Sequence, residues 1–514
     1  MAQQNMERVA GLGKLFVGAP DTELARIIEE TLTLGRRFPA ILRAIEADQD
    51  DLGKARKRQR IAEEGWQVRR GTPALAGLEV QPSDGVRAEN LALLEGCPRM
   101  SAEVTLVFVM VRGDMGELYG KRSEERMRDS CTLEAFLGQR GLRMPGLRTI
   151  GDNINAVSNR TREGILDCQI AMALEEELDD FRKITADSTS VAARSEWPTD
   201  SGMLLKMLAR AARIGAKLKL FGLPQLRQGH MTRWLKEMKS LDFAINITAG
   251  KARSEGKRKG LYRKFLRRAA KVAAHLAGEA QRLHPAYLAA DLAPGRRAQA
   301  ARAWAMFTGD VTDACRVMGY CEARVFADRR TPSRDKILSL ADRTAALIVK
   351  GDRQPVVGYK PQLARSGNGL VSALLVPEGN AADAPLLPFL VRETCRRTGA
   401  APLVVSSDDG YSSTESRNAL QAMNVEVISF SGSKGKRLTS EQDWDSEPYR
   451  QARADRSAVE SLMFCLKYTY EFGRLHRCGI EAVRAELLEK VLAYNVCRIL
   501  LLRQRKRSVS KKVA

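Results

Sequence analysis

The chain has 514 residues, enough for two to four domains and a substantial core. Lys plus Arg exceed Asp plus Glu by 84 − 62 = 22, a surplus that suits a polyanionic partner, because each cation set on a phosphate releases counterions. Nine cysteines without CxxC pairs and only four histidines argue against a disulfide framework or a Cys/His zinc site, and fit a reducing cytoplasm.

No signal peptide is read at the N-terminus, and apolar runs such as 106–111 fall far short of the ~20 residues of a membrane span. In chain order, 22–45 reads as helix, 51–70 as a charged helix with a basic run at 54–60, and 71–87, rich in Gly and Pro, as a linker. Residues 1–95 are thus a helical region and linker whose role is an accessory DNA-binding or dimerising arm, or merely a solvated one. From 101 to 182 the pattern is mostly helical, although the β-branched residues of 102–111 leave a strand open there. Several short helices ahead of a catalytic core suit either a helix-turn-helix-like DNA-binding module at 96–182 or a plain scaffold. The acids at 175–180 read as a solvated face.

Residues 184–191 read as a strand, 198–202 as a turn and 203–218 as a basic amphipathic helix. The stretch 219–334 is almost wholly helical and strongly basic. Within it, 251–275 interleaves Tyr262 and Phe265 with Arg263, Lys264, Arg267 and Arg268. Such a helix tracks phosphates and presses rings against sugars or bases, unless the rings belong to a core. Strand signals return at 346–350, 356–362 and 369–376, then a helix at 382–398, a strand at 402–407, a helix at 414–423 and a strand at 425–431. A polar loop at 432–441 leads to the last motif, and the tail 503–514 is basic.

That motif is D-R-S-A-V-E-S-L-M-F-C-L-K, from Asp455 to Lys467. Its apolar spacing is helical, with a start either at Ser457, where Glu460 completes a capping-box spacing, or back near Pro448. On the earlier start Arg456, Glu460, Phe464 and Lys467 lie near one face. Taken alone this is a solvated helix with an ion pair worth a few tenths of a kcal/mol. Two other acid-bearing, β-prone stretches change that: Ile184-Thr-Ala-Asp187-Ser-Thr-Ser-Val, followed by Trp197-Pro-Thr-Asp-Ser-Gly-Met-Leu-Leu205, and Pro402-Leu-Val-Val-Ser-Ser-Asp408-Asp-Gly-Tyr-Ser-Ser.

The R-(3)-E-(6)-K spacing of Arg456, Glu460 and Lys467 resembles the signature of bacterial insertion-sequence DDE transposases, and the other two stretches resemble that family's segments around its first and second catalytic aspartates. The likeness is strongest to the ISNCY-like grouping. It extends to "YGKRSEERMRDSCTLEAF" from Tyr119, to Gly379-Asn-Ala-Ala-Asp383, and to "AYNVCRILLL" from Ala493. The signature's Tyr, three residues before the Arg, is replaced by Arg453.

The resemblance implies an α/β RNase H-like core with a mixed five-stranded sheet. It would occupy 183–218 and 335–502, split by the basic helical insertion 219–334 after the first strand. Asp187, Asp408 and Glu460 would be both catalytic residues and metal ligands for two Mg²⁺ ions, with Mn²⁺ able to substitute. Arg456 and Lys467, with the cations of the 251–275 segment, would bind DNA. The pattern puts the ligand two residues before the Gly, at Asp408 rather than Asp409. The implied protein is a transposase that cleaves the terminal inverted repeats of a mobile element and joins them to target DNA. It would act as a homodimer or higher assembly, in the bacterial nucleoid and without a membrane. The alternatives are an RNase H-like nuclease or resolvase without strand transfer, and a non-catalytic DNA-binding derivative.

Overall fold

Central position in a sheet demands side chains that tolerate burial on both faces, and the run Ile-Thr-Ala-Asp-Ser supplies them. In the computed structural model, strand β1 (Lys183–Ser188) is buried at every position but its first. The structure describes residues 21–69, 100–118, 120–195, 197–249, 254–350 and 354–513. The predicted linker at 71–87, Tyr119 and residues 251–253 of the basic segment lie outside them. The chain divides into two compact units, one made of 1–52, 98–194 and 344–514, the other of 53–97 and 195–343.

The first unit holds two sheets. β2 is Val191–Ala192, β3 Ala346–Ile348, β4 Val356–Tyr359, β5 Gln362–Ser366, β6 Val371–Leu375, β7 Val404–Ser407 and β8 Val427–Phe430. Five of these strands form a mixed sheet in the order β6-β5-β1-β7-β8. β5 runs antiparallel to β1 and to β6, whereas β7 is parallel to β1 and β8 to β7. This is the RNase H-like order, and the parallel members need helical crossovers. Helices Leu387–Thr398 and Thr414–Gln421 provide them, burying Leu387, Leu390, Val391 and Leu420 against Ile184, Val405 and Ile428.

The expected single strand at 356–362 is two strands. Pro361 has no N–H to give a ladder, so the chain breaks there. β4 turns aside into a second, three-stranded sheet, β2-β4-β3, which the sequence did not reveal. The expected loop at 432–441 holds a short helix, Ser433–Leu438, and the beginning of another, Glu441–Trp444, capped by the Ser440 side chain.

The segment 102–111 is helix, not strand: Ala102–Met115 is buried nearly all round, with Ser101 as its N-cap. It lies so close to the last helix, Ile480–Val513, that a Cβ on Gly113 would run into the Glu489 carbonyl. Glu489 is fully buried there. Its carboxylate accepts from Arg112 Nε and Nη2 at 2.9 and 2.7 Å, and from Arg162 Nε and Nη2 at 2.9 and 2.5 Å. Arg477 Nη2 stands 4.0 Å away. Burial alone would raise the Glu489 pKa, but the three guanidiniums outweigh it and hold it down at about 2.

The second unit is helical. Its principal helices are Asp200–Lys217, Met231–Thr248, Glu255–Ala289 and Pro294–Phe326. They share a core that includes Leu204, Leu208, Met238, Phe265, Leu276, Phe307 and Val317. The first begins inside the predicted turn at 198–202, because Thr199 accepts from the Gly202 N–H and caps it. Asp200 pairs with Arg324 at 2.6 Å, so this acid of the P-T-D-S-G segment serves the helical packing.

Candidate active site

The parallel register of β1 and β7 fixes the site. Ala186 pairs with Ser407, so one residue further on Asp187 and Asp408 stand side by side where the two strands end. Adjacent strands are about 4.8 Å apart, so the carboxylates feel each other. Burial and then the Asp187 charge raise the Asp408 pKa above the ordinary value, against the pull of Lys350 and Arg456. Two acids 221 residues apart in sequence thereby become one electrostatic unit (408 − 187 = 221).

Asp408 and Asp409 part company at this strand end. Asp408 keeps an extended backbone, and its carboxylate receives a hydrogen bond from the Gly410 N–H at 3.0 Å. Asp409 enters a 3-10 turn and points to the start of the Ser433–Leu438 helix. There it accepts from the Gly435 and Lys434 N–H groups at 2.8 and 3.1 Å and from Ser412 Oγ at 3.1 Å. Burial pulls its pKa up, but the Gly435 and Lys434 hydrogen bonds win and leave it lowered. The contact is tight enough to require glycine at 432, where φ is +114° and a Cβ would sit 2.7 Å from the Asp409 carboxyl carbon.

Three features of the site were not anticipated from sequence. Lys350, just past β3, places its ammonium 3.1 Å from Asp187 Oδ1 and 3.1 Å from Ser188 Oγ, and against the Ser188 carbonyl. Below the acids, Asp383 pairs with Lys360 at 2.7 Å and accepts from Gln362 Nε2 at 2.7 Å, while the Tyr411 hydroxyl donates to Gln362 Oε1. Burial, with the Asp383, Asp187 and Asp408 charges, raises the Tyr411 pKa well above the ordinary phenol, so it stays a donor. The Gly-Asn-Ala-Ala-Asp383 resemblance was the only advance signal of this network; Lys350 gave none. Third, Arg453, standing where the signature has Tyr, stacks its guanidinium 4.1 Å over the Trp444 ring.

The motif helix begins early. Helix Glu447–Asp455, with Pro448 in its first turn, runs into Ser457–Thr469 with only Arg456 between them, itself in helical conformation. The Ser457 capping box does not form; Ser457 Oγ donates to the Ala454 carbonyl instead. Val459, Leu462, Met463 and Leu466 are buried, and Glu460, Phe464 and Tyr468 are exposed. The Arg456–Glu460 separation is 3.9 Å, with Glu460 67% exposed, too loose and wet a pair to account for both residues. Arg456 Nε is buried and has no hydrogen-bond partner, and its charge reaches Asp408. Lys467 is half-buried.

The structure therefore brings Asp187, Asp408, Lys350 and Arg456 within electrostatic reach of one another and leaves Glu460 exposed on the motif helix, with Arg456 as its loose partner. Among the described residues no group of three or more His, Cys, Asp or Glu converges tightly enough to hold a metal ion. The donor set nevertheless fits a hard divalent cation: two carboxylates that need counter-charge, plus the oxygens of Ser188. In the helical unit, Arg263, Lys264 and Arg267 are exposed, whereas Arg268 is half-buried in an ion pair with Glu237. Tyr262 and Phe265 are buried, 2% and 0% exposed, so the expectation that these rings reach DNA is replaced by a core role. No helix among the described residues is long and apolar enough to cross a membrane.

No curated protein and no solved structure matches the chain. One family does, described as "Transposase DDE domain", over residues 340–496. That span contains Asp408, Glu460, Arg456 and Lys467 and four of the five strands of the RNase H-like sheet, all but β1. Residues 340–496 therefore carry a transposase DDE domain, set on a sheet with the strand order of an RNase H-like core.

Proposed function

We propose that the protein binds the terminal inverted repeats of an insertion sequence, cleaves the DNA ends and joins them to target DNA. The observation that carries this reading is the position of Asp187 and Asp408, each one residue past the Ala186–Ser407 pair of two adjacent parallel strands, on a sheet most of whose strands lie in a DDE domain. Asp187, Asp408 and Glu460 would hold the divalent metal. Two Mg²⁺ ions, with Mn²⁺ as a substitute, supply activation of the attacking hydroxyl and stabilisation of the leaving 3′-oxygen in an in-line phosphodiester displacement.

The remaining residues act by position and charge. Arg456, with an unpartnered buried Nε, grips a phosphate near the scissile bond through its planar fork; Lys467, further along the same helix, adds a point charge. Arg263, Lys264 and Arg267 contribute sequence-independent affinity, while Arg268, the fourth cation of the segment, is engaged by Glu237. The helices of 96–182 other than the buried one at Ala102–Met115 carry part of the DNA contact, and two or more copies meet in the synaptic complex, on the nucleoid.

The test uses the DNA flanking the gene as substrate. Asp187→Asn, Asp408→Asn and Glu460→Gln each abolish Mg²⁺-dependent cleavage while binding to the terminal repeats survives. A variant that keeps near-normal cleavage removes that residue from the metal site. Cleavage without joining of the ends would favour the nuclease or resolvase, and binding without cleavage by the wild type the non-catalytic derivative.

A further inference from the structure

A lysine ammonium has three donors and no acceptor. On Lys350 all three are used, and all on oxygens at one point: the Asp187 carboxylate at 3.1 Å, the Ser188 hydroxyl at 3.1 Å and the Ser188 carbonyl. Carboxylate, hydroxyl and carbonyl oxygen are also the ligands that a hard divalent cation prefers. The ammonium is largely withdrawn from water, its side chain 23% exposed beside an Asp187 side chain that is 11% exposed. It sits on the one carboxylate of the pair that borders Asp408, and its charge is felt at Asp408 as well. Two neighbouring acids, one of them buried, are stabilised in their charged forms by a nearby cation, including when none is supplied from solution.

We propose that Lys350 is the resident counter-cation of the Asp187–Asp408 pair: it occupies the oxygen cradle of Asp187 and Ser188 in the metal-free protein and gives up that place when divalent metal binds. This rests on the reading of the two aspartates as metal ligands. Lys350 is a positioning residue on this account. It keeps the Asp187 carboxylate aimed and the acid pair neutralised before metal arrives, and the same charge sets the metal affinity by competition. β3, which leads to Lys350, belongs to the second, three-stranded sheet, so the competing charge is delivered from a separate element and can withdraw without disturbing β1.

The test is Mn²⁺ binding to the full-length protein without DNA, followed by loss of the free-ion electron paramagnetic resonance signal. Lys350→Met should bind Mn²⁺ at least about fivefold tighter than wild type, the effect of one unit charge at ~4 Å even in the dielectric of water. In EDTA the variant should melt below wild type, and added Mg²⁺ should close that gap. Lys350→Gln, polar and neutral, provides the same reading should the Met variant fail to fold. Equal or weaker Mn²⁺ affinity in a folded neutral variant overturns the proposal. Asp187→Asn is the control for the underlying reading. If wild-type Mn²⁺ binding survives that change, the metal is elsewhere and the assignment of the acids falls, whereas binding that depends on Asp187 but ignores Lys350 defeats the counter-cation alone.

Discussion

Asp408→Asn and Asp409→Asn are isosteric changes one residue apart, and the structure predicts opposite consequences. Asp409 accepts two backbone N–H groups and a hydroxyl at the mouth of the Ser433–Leu438 helix. An Asn in its place keeps one acceptor oxygen, presents an NH₂ to a donor, and loses the charge that favours a helix N-terminus. Charge-assisted bonds of this kind contribute roughly 1.5–3 kcal/mol each, part of which Asn retains, so a loss of about 1–2 kcal/mol is expected, a few degrees of melting temperature. Cleavage should survive. Asp408 accepts a single backbone bond and is repelled by Asp187. Its neutralisation relieves that repulsion, so the metal-free Asp408→Asn protein should melt at or above the wild-type temperature. Cleavage should nonetheless fall by at least about 10²–10³-fold, the scale of losing one preorganised electrostatic contact to the reacting centre. Both variants and wild type would be melted in EDTA and assayed on terminal-repeat DNA with Mg²⁺. Loss of cleavage in a well-folded Asp409→Asn protein, or its survival in Asp408→Asn, would refute the assignment.

Replacing Arg263, Lys264, Arg267 and Arg268 together with neutral residues should flatten the plot of log affinity against log salt by about 2.7, three exposed contacts at roughly 0.9 each, because Arg268 is already engaged by Glu237; an unchanged slope takes the segment out of the interface. Arg456→Lys should slow cleavage or joining more than Lys467→Arg does, since only the first loses a bidentate grip. Normal rates on nicked and intact ends for both Arg456→Ala and Lys467→Ala would show that this helix face does not meet DNA. Glu489 has a folded pKa near 2 against an ordinary 4.5, so the stability it contributes is complete above pH 4.5 and drains away as pH falls towards 2. Glu489→Gln should therefore melt well below wild type at neutral pH, with the gap narrowing on acidification through that window; a gap that stays constant sinks the argument.

Asp187 and Asp408 were singled out by the resemblance of their stretches to a transposase family; alone, each acid beside a short β-prone run reads as a turn former. The register that sets them abreast follows from β1 and β7 being parallel neighbours. Lys350 was invisible: it reaches Asp187 across 163 positions, and nothing local marks a lysine that will lie in an oxygen cradle. The mistaken role for Tyr262 and Phe265 had a remedy in plain view. With Leu266, Ala269, Val272, Ala273 and Leu276 they form an apolar stripe at three- and four-residue spacing, which faces a core. The helix at Ser433–Leu438 was hidden for the reverse reason, since its composition is that of a loop and its start is held by Asp409 from another element.

The buried Glu489 joins the beginning of the chain to its last helix. Arg112 and Arg162 precede it by 377 and 327 positions. During synthesis the early helices emerge with two guanidiniums destined for the interior and no acid to receive them, and the strands bearing Asp187 and Asp408 follow in the same condition. Breaking such a buried pair costs about 3–5 kcal/mol, comparable with the whole net stability of many domains. A chain truncated before residue 489 therefore lacks the acid that receives Arg112 and Arg162. An excised fragment covering 340–496 would keep Glu489 and lose two of its three arginines.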